Sequence, residues 1–265
     1  MEREKLERYF ERLGLVLPEK VTADGALLEK VFRGHVTHVP YENIDYLNME
    51  KTEITFERLY RRVVEEKRGG VCYDLNALLS IVLNSIGYEA YPVMADHYRT
   101  HMEHTQYRHS ALIVKDCGGN VWLCDPGDSF SGALKPLRLE ADTVQHPGGE
   151  AYRLEKQEDG SWMLYAEYKG GWLKNYAFFE KPASLEELTY FKNIAMDPEI
   201  PFTHEELFHL RTAEGFMILR GRSLFIKNGK EKTGRTLEEK ELEEAYALFG
   251  LKYPCSVYRE TTPRA

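Results

Sequence analysis

Residues 68–90 read Arg-Gly-Gly-Val-Cys-Tyr-Asp-Leu-Asn-Ala-Leu-Leu-Ser-Ile-Val-Leu-Asn-Ser-Ile-Gly-Tyr-Glu-Ala. Leu75, Leu78, Leu79, Val82, Leu83 and Ile86 recur at helical spacing on one face, and Gly87 is a stop. Gly69 and Gly70 let the chain turn tightly into this helix, so Cys72 falls at its N-terminal end. The positive end of the helix dipole favours a thiolate there, and the open N–H groups of the first turn suit a developing oxyanion.

Upstream the same periodicity repeats. Leu6, Tyr9, Phe10 and Leu13 predict a helix ending at Gly14. A second helix is expected over Leu27–His38, ahead of Pro40, and a third over Thr55–Glu66. The first third of the chain is thus read as a helical bundle.

Past Tyr88 the texture changes to short runs rich in β-branched and aromatic residues, punctuated by Gly, Asn, Asp and Pro. Strands are expected at Glu89–Ala95, His109–Lys115, Val121–Asp125, Ala151–Glu155, Trp162–Tyr168 and Tyr176–Phe179. Cys117-Gly118-Gly119-Asn120 is a hairpin turn. Further on, helices are expected over 184–192 and 205–210, a hairpin over Gly215–Leu219 and Arg222–Lys227, and an amphipathic helix over Leu237–Phe249. The fold class is α+β. Its parts are a helical bundle (1–88), an antiparallel sheet or partial barrel (89–192) and a mixed C-terminal part (193–265), packed as one unit without repeats or linkers.

The bulk properties narrow the function. The 265 residues are 43% hydrophobic and 29% charged, with a net charge of −8. An acidic chain has no general attraction for nucleic acid or anionic membrane. No apolar run approaches the roughly 20 residues of a membrane span. The charged, amphipathic start MEREKLERYFERLG does not read as a secretory leader, so the expected compartment is the cytoplasm. Cys72, Cys117, Cys124 and Cys255 form neither a disulfide framework nor a C-x-x-C pair, and are expected as free thiols.

Cys72 has candidate partners. His109 opens one predicted strand and Asp125 closes the next, both away from the Gly118-Gly119 turn. A helix-borne Cys followed by His and Asp on adjacent strands is the order of papain-like and transglutaminase-like enzymes. Singly, each residue has an ordinary explanation: a small core residue, a strand-end polar group, a turn former before Pro-Gly. Together, behind Gly69-Gly70, they weigh as much toward catalysis as toward packing.

Other features read plainly. His97, His101, His104 and His109 lie close in sequence, but the first three are expected in a solvated loop near the site, without metal. Trp162, Trp172 and Tyr176 are expected in the core or barrel. The acidic run Glu238–Glu244 is the wet face of a helix. Arg220, Arg222 and Lys227 are expected on a solvated strand face, with the phosphates of a ligand as the sharper alternative.

Several segments together resemble the arylamine N-acetyltransferase family. Tyr9-Phe10-Glu11-Arg12-Leu13-Gly14-Leu15 is similar to its opening helix, and His38-Val39-Pro40-Tyr41-Glu42-Asn43-Ile44 to its Pro-Phe-Glu-Asn-Leu segment. Arg68-Gly69-Gly70-Val71-Cys72-Tyr73-Asp74-Leu75-Asn76 resembles its signature Arg-Gly-Gly-x-Cys-x-Glu-x-Asn, and Trp122-Leu123-Cys124-Asp125-Pro126-Gly127 its strand ending in Asp-Val-Gly. The resemblance implies a helical bundle, a β-barrel and an α/β lid. It implies ping-pong chemistry, in which Cys72 takes an acetyl group from the co-substrate acetyl-CoA and passes it to an arylamine or arylhydrazine. His109 would be the base and Asp125 its orienting partner, with Arg68, Gly69, Gly70, Asp74 and Asn76 as site support.

Three departures stand out. Asp74 replaces Glu, so a salt bridge to Arg68 must be re-spaced. The loop Gly127-Asp128-Ser129-Phe130, expected to shape the acyl and CoA site, brings an acidic Asp128. The stretch Ala195–Phe202 is more acidic than its counterpart. These departures motivate an amide synthase fed by a carrier-protein thioester as a rival. The others are a thiol hydrolase or transglutaminase-like enzyme, and a binding module with a retired triad.

Overall fold

The structure is a computed structural model and describes residues 1–98, 108–128, 132–197 and 203–253. The expectations placed on His101, His104, Ser129, Phe130, residues 198–202 and Cys255 fall outside these residues.

The chain opens with helices α1 (Arg3–Arg12) and α2 (Gly25–His38), strand β1 (Tyr41–Glu42) and helices α3 (Ile44–Leu47), α4 (Phe56–Tyr60) and α5 (Cys72–Ser85). Asp24 caps α2 by accepting from the Leu27 N–H at 2.8 Å, and a π-helical turn, Arg61–Glu65, prolongs α4. The predicted face of α5 is the buried one: Leu75, Leu78, Leu79, Val82 and Leu83 are 0% exposed. At about 1.5–3 kcal/mol per fully buried aliphatic side chain, these five supply on the order of 10 kcal/mol before chain entropy is counted.

Eight strands follow: β2 (Glu89–His97), β3 (His109–Lys115), β4 (Val121–Cys124), β5 (Leu137–Arg138), β6 (Val144–Gln145), β7 (Tyr152–Lys156), β8 (Trp162–Tyr168) and β9 (Gly171–Pro182). They form one antiparallel sheet in the order β5-β4-β3-β2-β9-β8-β7-β6. Its two edges meet through a side chain. Gln145 Nε2 donates to the Arg138 carbonyl at 2.8 Å, and Arg138 N–H donates to Gln145 Oε1 at 2.7 Å. The Gln145 amide thus stands in for a strand peptide and brings the sheet to a nearly closed barrel. Helix α5 packs on β2 and β3.

Helix α6 (Leu185–Ile194) carries a Ser184/Glu187 capping box. A second antiparallel sheet has the order β1-β10-β11-β12-β13, built from β1 with β10 (Leu207–Arg211), β11 (Gly215–Arg220), β12 (Ser223–Asn228) and β13 (Glu231–Thr236). Helix α7 (Leu242–Leu248) covers it with Ala245 and Tyr246.

The α+β class and most elements agree with expectation, with corrections. Residues 207–211 form a strand, not the predicted helix, because they pair with β1 on one side and β11 on the other. The predicted helix at 237–249 is shorter: a 3-10 turn at Glu239–Glu241 leads into α7. His97 ends strand β2, paired with Tyr176, rather than lying in a loop. Trp162, Trp172 and Tyr176 lie on barrel strands as expected, with Trp162 and Tyr176 buried and Trp172 39% exposed. Among the described residues no helix is long and apolar enough to cross a membrane.

Candidate functional site

The β3–β4 hairpin fixes the relation of His109 to Asp125. Leu112 faces Cys124 across the ladder, so Asp125 follows just past the end of β4, beside Ala111 and two residues along β3 from His109. His109 Nε2 lies 2.7 Å from Asp125 Oδ2. That leaves Nδ1 on the side away from Asp125, and Cys72 lies near enough to act on the charge of the ring. All three residues are 9% exposed or less. Burial by itself lowers the His109 imidazole. The Asp125 carboxylate and the contact with Cys72 outweigh it and hold the ring well above its ordinary range. A basic imidazole beside a buried cysteine at a helix N-terminus sets a general base next to a candidate nucleophile.

Asp125 is held on both oxygens. Its Oδ1 accepts from the Gly127 N–H at 3.0 Å, an Asx turn that swings the chain back toward α5, and from Asn76 Nδ2 at 3.5 Å. Asn76 Nδ2 also donates to the Cys72 carbonyl at 2.9 Å and the Ser110 carbonyl at 2.7 Å, tying the helix to the barrel. The Tyr176 ring, 4.8 Å from that of His109, walls the site, and the His97 ring lies 5.7 Å from His109.

The glycines serve space rather than a special turn. A Cβ on Gly127 would lie 2.4 Å from Cys72 Cα, and one on Gly69 would lie 1.7 Å from the Pro40 carbonyl oxygen. Gly70 abuts Asp74 in the same way, at 2.8 Å from its Cβ. Neither Gly69 nor Gly70 has the left-handed backbone that the tight-turn reading implied.

The support residues divide differently from expectation. Arg68 does not pair with Asp74. It donates to Glu42 Oε1 at 2.8 Å and to Asp45 Oδ1 at 3.2 Å. The shorter Asp74 instead accepts from the Val71 N–H at 3.3 Å, capping α5, and meets Arg62 at 3.5 Å and Lys192 Nζ at 2.8 Å. Arg62 also pairs with Asp45 and lies 3.6 Å from Glu42. Lys192, 0% exposed, further donates to Thr52 Oγ1 at 2.8 Å.

Lys192, Arg62 and Asp45 were missed as site residues. A weak signal existed for Lys192, which stands four residues after Leu188 on the apolar face of α6. Glu42 lay inside a quoted segment without a role. Asp128 is buried and accepts from Asn175 Nδ2 at 3.0 Å. Arg220, Arg222 and Lys227 are each paired, with Glu205, Glu239 and Glu150. Cys124 is a core residue, and burial raises its thiol well above the ordinary value, whereas Cys117 is exposed.

The N-acetyltransferase family model matches residues 26–254. The chain is similar to the uncharacterized acetyltransferase YvcN of Bacillus subtilis, 33% identical over 72% of this chain and 76% of that one. It is also similar to an arylamine N-acetyltransferase of Mycolicibacterium smegmatis, 28% identical over 82% and 80%. A solved M. smegmatis arylamine N-acetyl transferase superposes with a TM-score of 0.87 at 26% identity, over 95% of this chain and 93% of that one.

Proposed function

The chain belongs to the arylamine N-acetyltransferase family, and from that premise we propose that it moves an acetyl group from acetyl-CoA to the nitrogen of an arylamine or arylhydrazine through a thioester on Cys72. The observation that carries the reading is the 2.7 Å bond between His109 and Asp125, with the buried Cys72 at the head of α5 beside them.

The steps follow from the geometry. His109 Nδ1 takes the Cys72 proton, and Asp125 stabilises the imidazolium. The thiolate adds to the thioester carbonyl, and the first-turn N–H groups of α5 face the developing oxyanion. Collapse releases the CoA thiolate, which takes the proton from His109. The amine then attacks the acetyl-Cys72 carbonyl, His109 accepts the amine's proton, and the Cys72 thiolate leaves. Asn76, Gly127 and the Asp74 cap hold the frame. Both substrates are small molecules, and the cytoplasm is the proposed place of action.

The test is the intact mass of the protein after brief mixing with acetyl-CoA, beside Cys72→Ala. A gain of one acetyl group on the native protein alone, discharged by an arylamine or hydrazine, establishes the ping-pong transfer. Absence of the gain while iodoacetamide still labels Cys72 rapidly transfers the nucleophile to another donor, and the carrier-thioester amide synthase becomes the reading. Discharge by water as fast as by amine makes it a hydrolase.

A further inference from the structure

The turn that carries Asp125 borders a small pocket whose far wall is β10. His209 and Arg211 reach into it beside Asp125, Pro126 and Asp128. Arg211 is 3% exposed and His209 4%. Arg211 Nη2 donates to the Gly148 carbonyl at 3.3 Å, but Nε and Nη1 have no hydrogen-bond acceptor among the described residues. Glu150 stands 4.0 Å from Nη1, too far for a hydrogen bond, and is engaged by Lys227 at 2.5 Å. His209 Nε2 is also without a partner.

A buried guanidinium with two unpartnered N–H groups is costly to keep unless something else satisfies it. The carboxylates nearby are engaged: Asp125 by His109, Gly127 and Asn76, and Asp128 by Asn175. A planar guanidinium offering N–H groups selects a carboxylate. Gly127, one residue beyond Pro126, lies against Cys72, so the pocket adjoins the acyl site.

We propose that Arg211, with His209 beside it, binds a carboxylate on the substrate, so that the enzyme favours an acidic acyl group or an acidic acceptor amine over its neutral counterpart. This rests on the acyl-transfer reading and names the substrate class for the same site. Asp128 adds discrimination, because its charge penalises an anion that enters without reaching Arg211.

The test is steady-state kcat/KM on the full-length protein with two matched sets. Malonyl-CoA and succinyl-CoA are compared with propionyl-CoA and butyryl-CoA, and 4-aminobenzoate with its methyl ester. Each ratio of acid to neutral substrate is read within one variant, for the native protein, Arg211→Met and Arg211→Lys. The expected result is a fall of at least tenfold in the ratio of one set in Arg211→Met, partly restored in Arg211→Lys. A fall in the CoA set assigns the carboxylate to the acyl group, and a fall in the amine set assigns it to the acceptor. Should Arg211→Met fail to fold, Arg211→Gln replaces it. Ratios unmoved in both sets, with the native protein active on the neutral members, overturn the proposal and leave acyl transfer standing. Inactivity of the native protein on every substrate overturns acyl transfer and this proposal with it.

Discussion

Two groups of buried charge flank the first turn of α5, and they are finished to different degrees. On the helical side, Glu42, Asp45 and Asp74 face Arg62, Lys192 and the partly exposed Arg68, and each carboxylate has a cation within 3.2 Å or closer. On the barrel side, Asp125 and Asp128 are held, but Arg211 and His209 keep unpartnered polar atoms. The helical set matches charge with charge at contact distance, although Asp45 Oδ2 and Arg62 Nε also lack a hydrogen-bond partner among the described residues, and such matching is what offsets desolvation and fixes the frame. An open set leaves room for a ligand to complete it. The helical side therefore reads as the clamp that seats Cys72, and the barrel side as the part that does chemistry and recognition. Substitutions should separate the two, the first through stability and the second through turnover.

The largest effect is expected at Asp125. In Asp125→Asn, the N–H groups of Gly127 and Asn76 still require an acceptor where Oδ1 now lies. The amide must then turn its NH2 toward His109 Nε2 and force the ring proton onto Nδ1, facing Cys72. The thiol loses its acceptor, and kcat should fall by about 10⁴. The hydrogen bonds are kept, so the stability lost in urea unfolding should be confined to the His109–Asp125 charge attraction and stay below the cost of Lys192→Met. A variant that unfolds early yet keeps near-native kcat would reverse the roles assigned to the two sides.

Lys192→Met probes the clamp. It strips Asp74 of its 2.8 Å cation and Thr52 of its donor inside a fully buried site. Removing one member of a buried ion pair costs about 3–5 kcal/mol, which urea denaturation will read directly. Pairing it with Asp74→Asn should recover part of the loss, because the orphaned charge is gone. A cost below about 1 kcal/mol for the single variant would mean that the set is not charge-balanced around Lys192.

A third prediction concerns pH. Burial, helped by the Arg12 charge for His35 and the Arg211 charge for His209, holds both imidazoles down at about 3. Their folded values lie below the unfolded value near 6.5. Below that pH the unfolded chain binds protons that the folded chain refuses, so stability falls as pH drops from about 6.5 toward 3. The slope approaches about 1.4 kcal/mol per pH unit for each histidine. His109 acts oppositely: its raised folded value gives a contribution that is full below about 6.5 and is lost as pH rises through that raised value. His209→Leu should lower the acid slope in urea unfolding between pH 6 and 4 by up to about 1.4 kcal/mol per pH unit. An unchanged slope would show that His209 is already protonated in the folded state, and would add a cation to the open side.

The local parts of this design are legible in the sequence, and the distant ones are not. The face of α5, the β3–β4 hairpin and the turn after Asp125 are written in helical period, strand composition and Asp-Pro-Gly, each within sixteen residues or fewer. They put Cys72 at the head of α5, His109 at the start of β3 and Asp125 just after β4. Strand β10 escaped because its conformation is imposed by β1, more than a hundred residues earlier, and by β11. The Lys192–Asp74 pair spans 118 residues, and nothing local to either residue declares the other. Family likeness misled at Arg68, since shortening Glu to Asp at position 74 goes with partners on other elements rather than a shift of the same pair.

The smallest effect, and the finest test of the contrast, is the stability of Arg211→Met. The native guanidinium gains one 3.3 Å hydrogen bond to Gly148 and distant attraction to Glu150. It loses the hydration of Nε and Nη1. Methionine gives up the bond and the charge but also that desolvation cost, and its flexible thioether can fill much of the same volume. Glu150 keeps Lys227 at 2.5 Å, so no carboxylate is orphaned. The change should therefore stay within about 1 kcal/mol of neutral, and a gain is compatible with the open site. A loss of about 3–5 kcal/mol, matching Lys192→Met, would place Arg211 among the matched charges of the frame and erase the difference between the two sides of Cys72.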